Sequence, residues 1–289
     1  MTPSLTIDER TCTHCNACVR DCPTSALRER TADPPEIDSE RCIGCGHCGA
    51  VCGPGAVRSA VGPFEPWSRP ELDANAIKAF LNGRRSTRRY RDRPIDDGLL
   101  SEVLDVARFA PSASNARDVH LTVFTGNQVF GLANAINDYY LGLARLLGTR
   151  WLWPLLYFTD ARPYLTKPEK LKAIRDRAQR FDRGHDWLFF SAPLVVVLSA
   201  PKRNARFGDA NCVIAAERMM QFASALHLGS CYIGYAEVAL RRKIALARRV
   251  GVPEAHVVQS VFALGHPAIE YRRLPARASL PTRFDPLHS

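Results

Sequence analysis

The chain has 289 residues, 46% of them hydrophobic, and 39 Lys and Arg against 29 Asp and Glu give it a formal charge of +10. That length fits one ordinary domain plus a small one. No apolar run approaches the roughly 20 residues of a membrane span, and the opening MTPSLTIDER shows no apolar signal segment, so a soluble, cytoplasmic protein without a membrane partner is expected. The charge is uneven. Residues 1–60 hold six Arg and eight acidic residues, a net of −2, so the remainder carries +12.

Cysteine organises residues 1–60, the first expected domain. Eight of the ten cysteines form two copies of C-x2-C-x2-C-x3-C: Cys12, Cys15, Cys18, Cys22, then Cys42, Cys45, Cys48, Cys52. A thiolate every third residue reaches several corners of one cubane when the backbone curls tightly, and Gly44, Gly46 and Gly49 permit that curl in the second copy. The spacing is that of [4Fe–4S] ligation. Zinc sites separate their pairs by longer gaps, and disulfides would need an oxidising compartment. The duplication extends beyond the cysteines: Ile7-Asp8 recurs as Ile37-Asp38, and Ala26-Leu27-Arg28 as Ala56-Val57-Arg58.

This segment resembles the bacterial two-cluster ferredoxins. The resemblance implies that the fourth cysteine of each run ligates the other cluster. Cluster I then takes Cys12, Cys15, Cys18 and Cys52, and cluster II takes Cys42, Cys45, Cys48 and Cys22. One departure is that Gly53, not proline, follows Cys52. His14 and His47 read as spacers, and Cys212 and Cys231 as buried thiols.

Residues 61–74, with three prolines, read as a linker. Residues 75–289 read as an α+β domain. Helices are expected over 75–82, 96–109, 128–147, 209–227 and 238–250, and strands over 120–124, 193–199 and 257–264. The 209–227 helix is apolar on most of its circumference and should be central. Residues 150–187, rich in aromatics, read as a lid or an inserted subdomain.

Residues 84–93 contain six arginines. A solvated face, a nucleic-acid patch and a phosphate clamp compete for this run. Guanidinium forks and a hydroxyl suit phosphate oxygens, and the aromatics of a nucleic-acid site are missing. Three more segments follow: Ala110-Pro111-Ser112-Ala113-Ser114-Asn115, Gly229 to Gly234, and Ala263-Leu264-Gly265-His266-Pro267-Ala268. In this order they resemble the FMN-dependent nitroreductase family, over residues 75–280.

The resemblance implies helices around a mixed β-sheet in an interlocked homodimer, with FMN at the subunit interface. Arg84, Arg85, Ser86 and Arg88 would meet the FMN phosphate, ribityl chain and pyrimidine edge. Pro111, Ser112, Ala113 and Asn115 would approach from the partner subunit. Ile233 and Gly234 would offer N–H groups to the N5/O4 edge, and Arg273 and Arg277 would close on the phosphate. Where the family has a Gln-Pro-Trp-type sequence, this chain has Arg117-Asp118-Val119.

The expected protein is an iron–sulfur flavoprotein oxidoreductase. Its electrons pass from two [4Fe–4S] clusters to FMN and then to a small organic acceptor, such as a nitroaromatic, a quinone or an activated alkene. No catalytic side chain is assigned, since flavin N5 does the chemistry. The external donor is a ferredoxin-like carrier or NAD(P)H, although no G-x-G-x-x-G unit is present. The alternatives are a non-enzymatic redox carrier or sensor and, less favoured, a nucleic-acid-binding Fe–S protein.

Overall fold

The structure is a computed structural model that describes residues 5–149, 168–181, 185–204 and 207–283. The duplicated cysteine segment folds as two interlocked halves. In chain order it forms β1 (Leu5–Ile7), α1 (Ala17–Arg20), β2 (Leu27–Arg28), β3 (Glu36–Ile37), α2 (His47–Ala50) and β4 (Val57–Ser59). β1 pairs antiparallel with β4, and β2 with β3. The repeat therefore recurs as matched hydrogen bonds. Asp8 N–H donates to Ala56 O at 2.8 Å, and Asp38 N–H to Ala26 O at 2.7 Å. Each aspartate also accepts from its own turn, Arg10 N–H and Glu40 N–H, both at 3.0 Å. The apolar interior is small: Leu27, Cys48 and Val57 are its buried members, and Phe64 of the linker packs on them. Phe64 lies so close to Gly49 that a Cβ there would overlap its ring. The linker is thus a strap laid over the second repeat.

Beyond the linker, α3 (Ala74–Gly83) starts at Asp73, whose carboxylate accepts from Asn75 N–H at 3.0 Å. α4 (Asp97–Asp105) starts at Asp96 in the same way, through Gly98 N–H at 2.9 Å. Both are aspartate N-caps. The helix expected over 96–109 tightens to a 3-10 turn from Val106. Next come β5 (His120–Thr125), α5 (Asn127–Gly148), α6 (Pro168–Gln179), β6 (Leu194–Pro201) and α7 (Gly208–Ala225). β7 (Gly229–Tyr232), α8 (Gly234–Arg242), α9 (Ile244–Arg249) and β8 (His256–Gly265) complete the domain. The sequence suggested one helix over 238–250; the chain breaks at Lys243.

The strands form one antiparallel sheet in the order β5-β6-β8-β7. β6 is buried from Leu194 to Ala200 because both faces are covered. Val195 and Val197 enter the core with Ile136, Tyr140 and Ala236. Leu194, Val196 and Leu198 enter the opposite core with Val103, Cys212 and Met219. The alternation of a strand therefore serves two cores at once, in three layers. Cys212 and Cys231 are both buried, as expected.

The parallel component comes from the arginine run. Ser86 bridges to Ser230 of β7, and Thr87 N–H donates to Ser230 O at 2.9 Å. Tyr90 bridges antiparallel to Pro267. The run is thus an added edge, held by a buried Thr87 lying against Gly229. Gly229→Ala would drive a Cβ into Thr87. It should cost about 1–3 kcal/mol, seen as a lower midpoint of thermal unfolding, and Gly229→Ala with Thr87→Ala should recover most of the loss.

Candidate functional site

Two recesses in the small domain are lined by thiols. Cys12, Cys15, Cys18 and Cys52 share one, and Cys22, Cys42, Cys45 and Cys48 share the other. Left-handed residues turn the chain just ahead of each third cysteine, Asn16 at φ 55° and Gly46 at φ 80°. Ala26 N–H donates to Cys22 Sγ and Ala56 N–H to Cys52 Sγ, both at 3.2 Å. Burial pushes the Cys48 thiol up to about 11, and the neighbouring Cys45, Cys42 and Cys18 add to the rise. Burial also raises Cys18, with Cys52 and Cys12 adding to it. Thiolates crowded this way repel one another until cations sit among them. An all-thiol donor set with N–H groups aimed at sulfur suits iron–sulfur clusters. Among the described residues, no three His, Cys, Asp or Glu side chains converge on one ion position; a cubane spreads its ligands more widely than a single ion does.

In the large domain, Arg84 carries buried donors suited to an anionic ligand. Its Nε lies 3.4 Å from Glu217 Oε1 of α7, yet Nε and Nη1 are buried without a hydrogen-bond acceptor. Buried, unmet donors on a cation are costly, so an anionic group fits there. Ser230 Oγ, in the strand bridged to Ser86, is also buried and unpartnered. Arg85 turns back to Asn82 O at 2.7 Å and Arg84 O at 2.6 Å. Arg88 lies over the Phe190 ring, 5.8 Å from its centroid.

A cavity of about 710 Å³ is lined by Arg88, Ile233 and Gly234, and by Tyr140, Arg177, Trp187, Phe190 and Tyr235. Tyr140, Trp187 and Tyr235 meet edge to face, with centroids 5.1 to 5.7 Å apart. Polar anchors fix them. Tyr140 OH donates to Tyr235 O at 2.8 Å, and Trp187 Nε1 to Asn137 Oδ1 at 2.9 Å. The buried Asn137 in turn donates to Ala178 O of α6 at 3.1 Å. Asp186 shapes the turn that presents Phe190, accepting from Leu188 and Phe189 N–H at 3.0 Å and Ser191 N–H at 3.2 Å. Burial raises its carboxyl in spite of those bonds.

Ile233 N–H is already donated to Val261 O at 2.8 Å. The expected donor pair at the cavity is therefore reduced to Gly234, the first residue of α8, where helix N–H groups lack intrahelical acceptors.

The loop holding Pro111, Ser112, Ala113 and Asn115 does not line this cavity. Ser114, Asn115 and Arg117 are left-handed, at φ 50°, 52° and 44°, and such non-glycine positions persist only where the surroundings impose them. Asn211 of α7, 2% exposed, accepts from Ala113 N–H at 3.1 Å and donates to Asp118 Oδ1 at 3.2 Å. Arg218 donates to Phe109 O. The Asn115 amide is committed elsewhere: its Nδ2 donates to Ile43 O at 3.0 Å and Gly44 O at 2.9 Å. Both acceptors lie in the small domain, so the expected cofactor contact by this side chain is replaced by a contact between domains.

Arg273 and Arg277 lie in an exposed extended segment after β8, tied near its start by Tyr271 OH to Ser86 O at 3.4 Å. One chain thus gathers Arg84, Arg85, Ser86, Arg88, Ile233 and Gly234. It leaves Pro111, Ser112, Ala113, Arg273 and Arg277 apart from them. Of the lid or subdomain expected over 150–187, residues 150–167 and 182–184 lie outside the described residues; α6 packs on α5. Sequence reasoning passed over Arg177, Asp186, Asn137 and Asn211. The two asparagines did carry a signal, as polar residues among apolar ones on long helices.

Two thiol-lined recesses and, in the same chain, a cation-edged aromatic cavity describe an oxidoreductase built in two parts. The nitroreductase family model matches residues 81–266, and the chain belongs to that family. The model of the 4Fe-4S dicluster domain matches residues 4–53. A 4-nitrobenzoate reductase of Nocardioides sp. (strain LMS-CY) is 37% identical over 84 residues, 28% of this chain and 34% of that protein, so the match spans about a third of the relative. A 4-nitrobenzoate reductase of Pseudomonas putida is 26% identical over 165 residues, 53% of this chain and 70% of that protein. Among solved structures, a nitroreductase from Bacteroides fragilis with bound FMN superposes with a TM-score of 0.54 at 22% identity, covering 73% of this chain and 97% of its own. One from Desulfitobacterium hafniense, also with bound FMN, gives 0.53 at 17%, covering 74% and 100%. At these identities the likeness is one of fold.

Asn211 is the side chain that holds the 110–118 loop to the central helix. Asn211→Ala leaves Ala113 N–H without its acceptor and should cost about 1–3 kcal/mol. The denaturant midpoint should fall, and amide exchange should quicken across 110–118.

Proposed function

We propose that this protein is an iron–sulfur flavoprotein reductase that passes electrons from two [4Fe–4S] clusters to FMN and on to a nitroaromatic acceptor. The observation that carries the reading is Arg84: a largely buried guanidinium whose Nε and Nη1 lack a hydrogen-bond acceptor, two residues before Ser86, which bridges to β7. A phosphate supplies the matching oxygens. Cys12, Cys15, Cys18 and Cys52 would hold one cluster, and Cys22, Cys42, Cys45 and Cys48 the other. Arg84, Arg85, Ser86 and Arg88 would hold the phosphate, ribityl and pyrimidine parts of FMN, with Gly234 N–H at its N5/O4 edge.

The remaining contacts point to a homodimer. Pro111, Ser112, Ala113, Arg273 and Arg277 stand apart from their own cavity and would reach a second copy's cofactor. Exposed apolar residues on α3 (Ile77, Phe80, Leu81) and α7 (Val213, Ile214) offer that copy a face to cover.

When bound, FMN supplies two-electron transfer and the clusters supply one-electron transfer. The chain supplies the setting. Arg88 and the Gly234 N–H group favour negative charge at the cofactor edge. Tyr140, Trp187, Phe190 and Tyr235 give a planar acceptor an apolar wall. Arg177 lines the same cavity, its side chain has no hydrogen bond or ion pair with a described residue, and it suits a carboxylate on the acceptor ring. Two relatives named 4-nitrobenzoate reductase agree with such a substrate. Reduction of a nitro group to nitroso consumes two electrons and two protons and releases one water. The electrons come from two equivalents of a reduced one-electron carrier protein, or from one NAD(P)H, and the protons from solvent. The open cavity favours an enzyme over a closed redox carrier. Thiol-ligated clusters suit the cytoplasm, and no described helix is long and apolar enough to cross a membrane.

Arg84→Ala should release FMN while the iron content stays at about eight atoms per chain, measured by a flavin and iron assay of the anaerobically reconstituted protein. Retained FMN would move the phosphate site away from Arg84. Arg177→Gln should raise KM for 4-nitrobenzoate roughly tenfold, the worth of a charge-assisted hydrogen bond, and change KM for 4-nitrotoluene little. Equal effects on both would remove the carboxylate role.

A further inference from the structure

We infer that Asn115 is a positioning residue that clamps the Cys42–Cys45 loop onto the 110–118 loop, so that electrons leave the small domain through the Cys22/Cys42/Cys45/Cys48 recess. The inference rests on the functional reading above and adds a direction to it. By sequence the two cysteine runs are near copies. By structure they are not equivalent toward the large domain.

The second recess is the docked one. Ile43 and Gly44 lie between Cys42 and Cys45, and their carbonyls take both N–H groups of the Asn115 amide, at 3.0 and 2.9 Å. An amide NH2 has two donors, so this one is fully used and its orientation is set. Gly44 is buried and left-handed, at φ 61°. Phe64 of the strap lies on Gly46 and Gly49 of the same repeat. Both attachments therefore bear on the second copy.

The first recess is the open one. The residues matching Ile43 and Gly44 are Thr13 and His14; both are exposed, as is Cys15. His14 Nδ1 pairs with Asp33 O at 3.2 Å, inside the small domain. That face is left for an external carrier protein.

The clamp is also rigid on its other side. Asn115 is left-handed, a state asparagine tolerates best among side-chain-bearing residues. Its loop is pinned through Ala113 to Asn211 of α7, and the same helix carries Glu217 against Arg84. A short chain of contacts thus runs from the Cys42–Cys45 loop to Arg84, two residues before the Ser86 bridge to β7, whose Tyr232 lines the cavity. A cluster held by Cys22, Cys42, Cys45 and Cys48 would supply one electron at each crossing. Two crossings, fed by two equivalents of a reduced one-electron carrier protein, match one two-electron reduction of a nitro group.

Asn115→Asp is the test, because it keeps shape and backbone preference but presents a carboxylate to two carbonyls. Asn115→Gly removes the side chain at a φ that glycine accepts and serves as the second variant. Iron and FMN content should equal those of the unaltered holoprotein. Amide exchange over 42–46 should quicken on the order of tenfold or more, the worth of two hydrogen bonds. In stopped flow, flavin reduction through reduced clusters should slow by a similar factor, whereas 4-nitrobenzoate turnover driven directly by dithionite should not change. His14→Ala should leave the internal rate alone and alter KM for the carrier. An unaltered internal rate in both Asn115 variants would overturn the clamp, and loss of FMN from them would make Asn115 a cofactor ligand instead. An unaltered holoprotein that holds no flavin or no iron would overturn the functional reading beneath it.

Discussion

Cys212, Ala215, Ala216, Met219, Met220 and Ala223 of α7 are buried on one sheet face with Val196 and Leu198 of β6 and Phe262 and Leu264 of β8. Packing of that density leaves a helix little freedom. The remaining faces of α7 then act as a datum for the functional parts. Asn211 fixes the 110–118 loop, Arg218 holds its approach at Phe109, and Glu217 faces Arg84. The Val213 carbonyl accepts from Tyr232 OH at 3.3 Å, at the end of β7 where the cavity begins. Groups from three distant parts of the chain are thus referred to one buried helix, and their mutual geometry follows from its placement.

The small domain reaches the same end by other means. Its core is too slight to fix eight thiols, and so short a segment buries little apolar surface. Cross-stitching does the work: each half's aspartate turn is closed by a carbonyl of the other half. The aspartates also face arginines, Asp8 with Arg58 at 3.6 Å and Asp38 with Arg28 at 3.4 Å. These pairs are exposed and weak. The thiol positions thus depend on backbone hydrogen bonds more than on burial, and on the cations that crowded thiolates require.

Much of this was legible from local pattern. β6 opens on an unbroken apolar run, Leu194 to Leu198, and β8 ends on one, Val261 to Leu264, because both sheet faces are covered, and the long helices fall within a residue or two of their periodic stretches. β7 escaped notice because Gly229-Ser230-Cys231-Tyr232 is short and lacks alternation; its strand character comes from pairing with β8. The break at Lys243 was likewise invisible, since apolar spacing continues across it. The cysteine runs, Arg84 and Gly234 could be singled out because a motif carries each within a few residues. The roles of Asn115 and Ile233 could not be read correctly. Each is decided by a partner far along the chain: Ile43 and Gly44 for one, Val261 for the other. Arg177, Asp186 and Asn211 belong to no motif, and their significance exists only once the fold has placed them.

The charge asymmetry gains a meaning from the docking contact. Residues 1–60 carry −2 and the rest +12, and ligation makes the small domain more negative as thiols become thiolates. Attraction between the parts is then general, long in range and screened by salt. It has no register: a negative body against a basic one can settle in many orientations. The proposed electron passage would demand one orientation, because it would depend on which recess faces the cavity-bearing domain. Asn115 and Phe64 supply the missing register, since directional hydrogen bonds and ring packing discriminate between near-identical repeats where net charge does not. A duplicated domain would otherwise present two nearly equal faces to its partner. One asparagine amide on a strained, helix-anchored loop is enough to make them different.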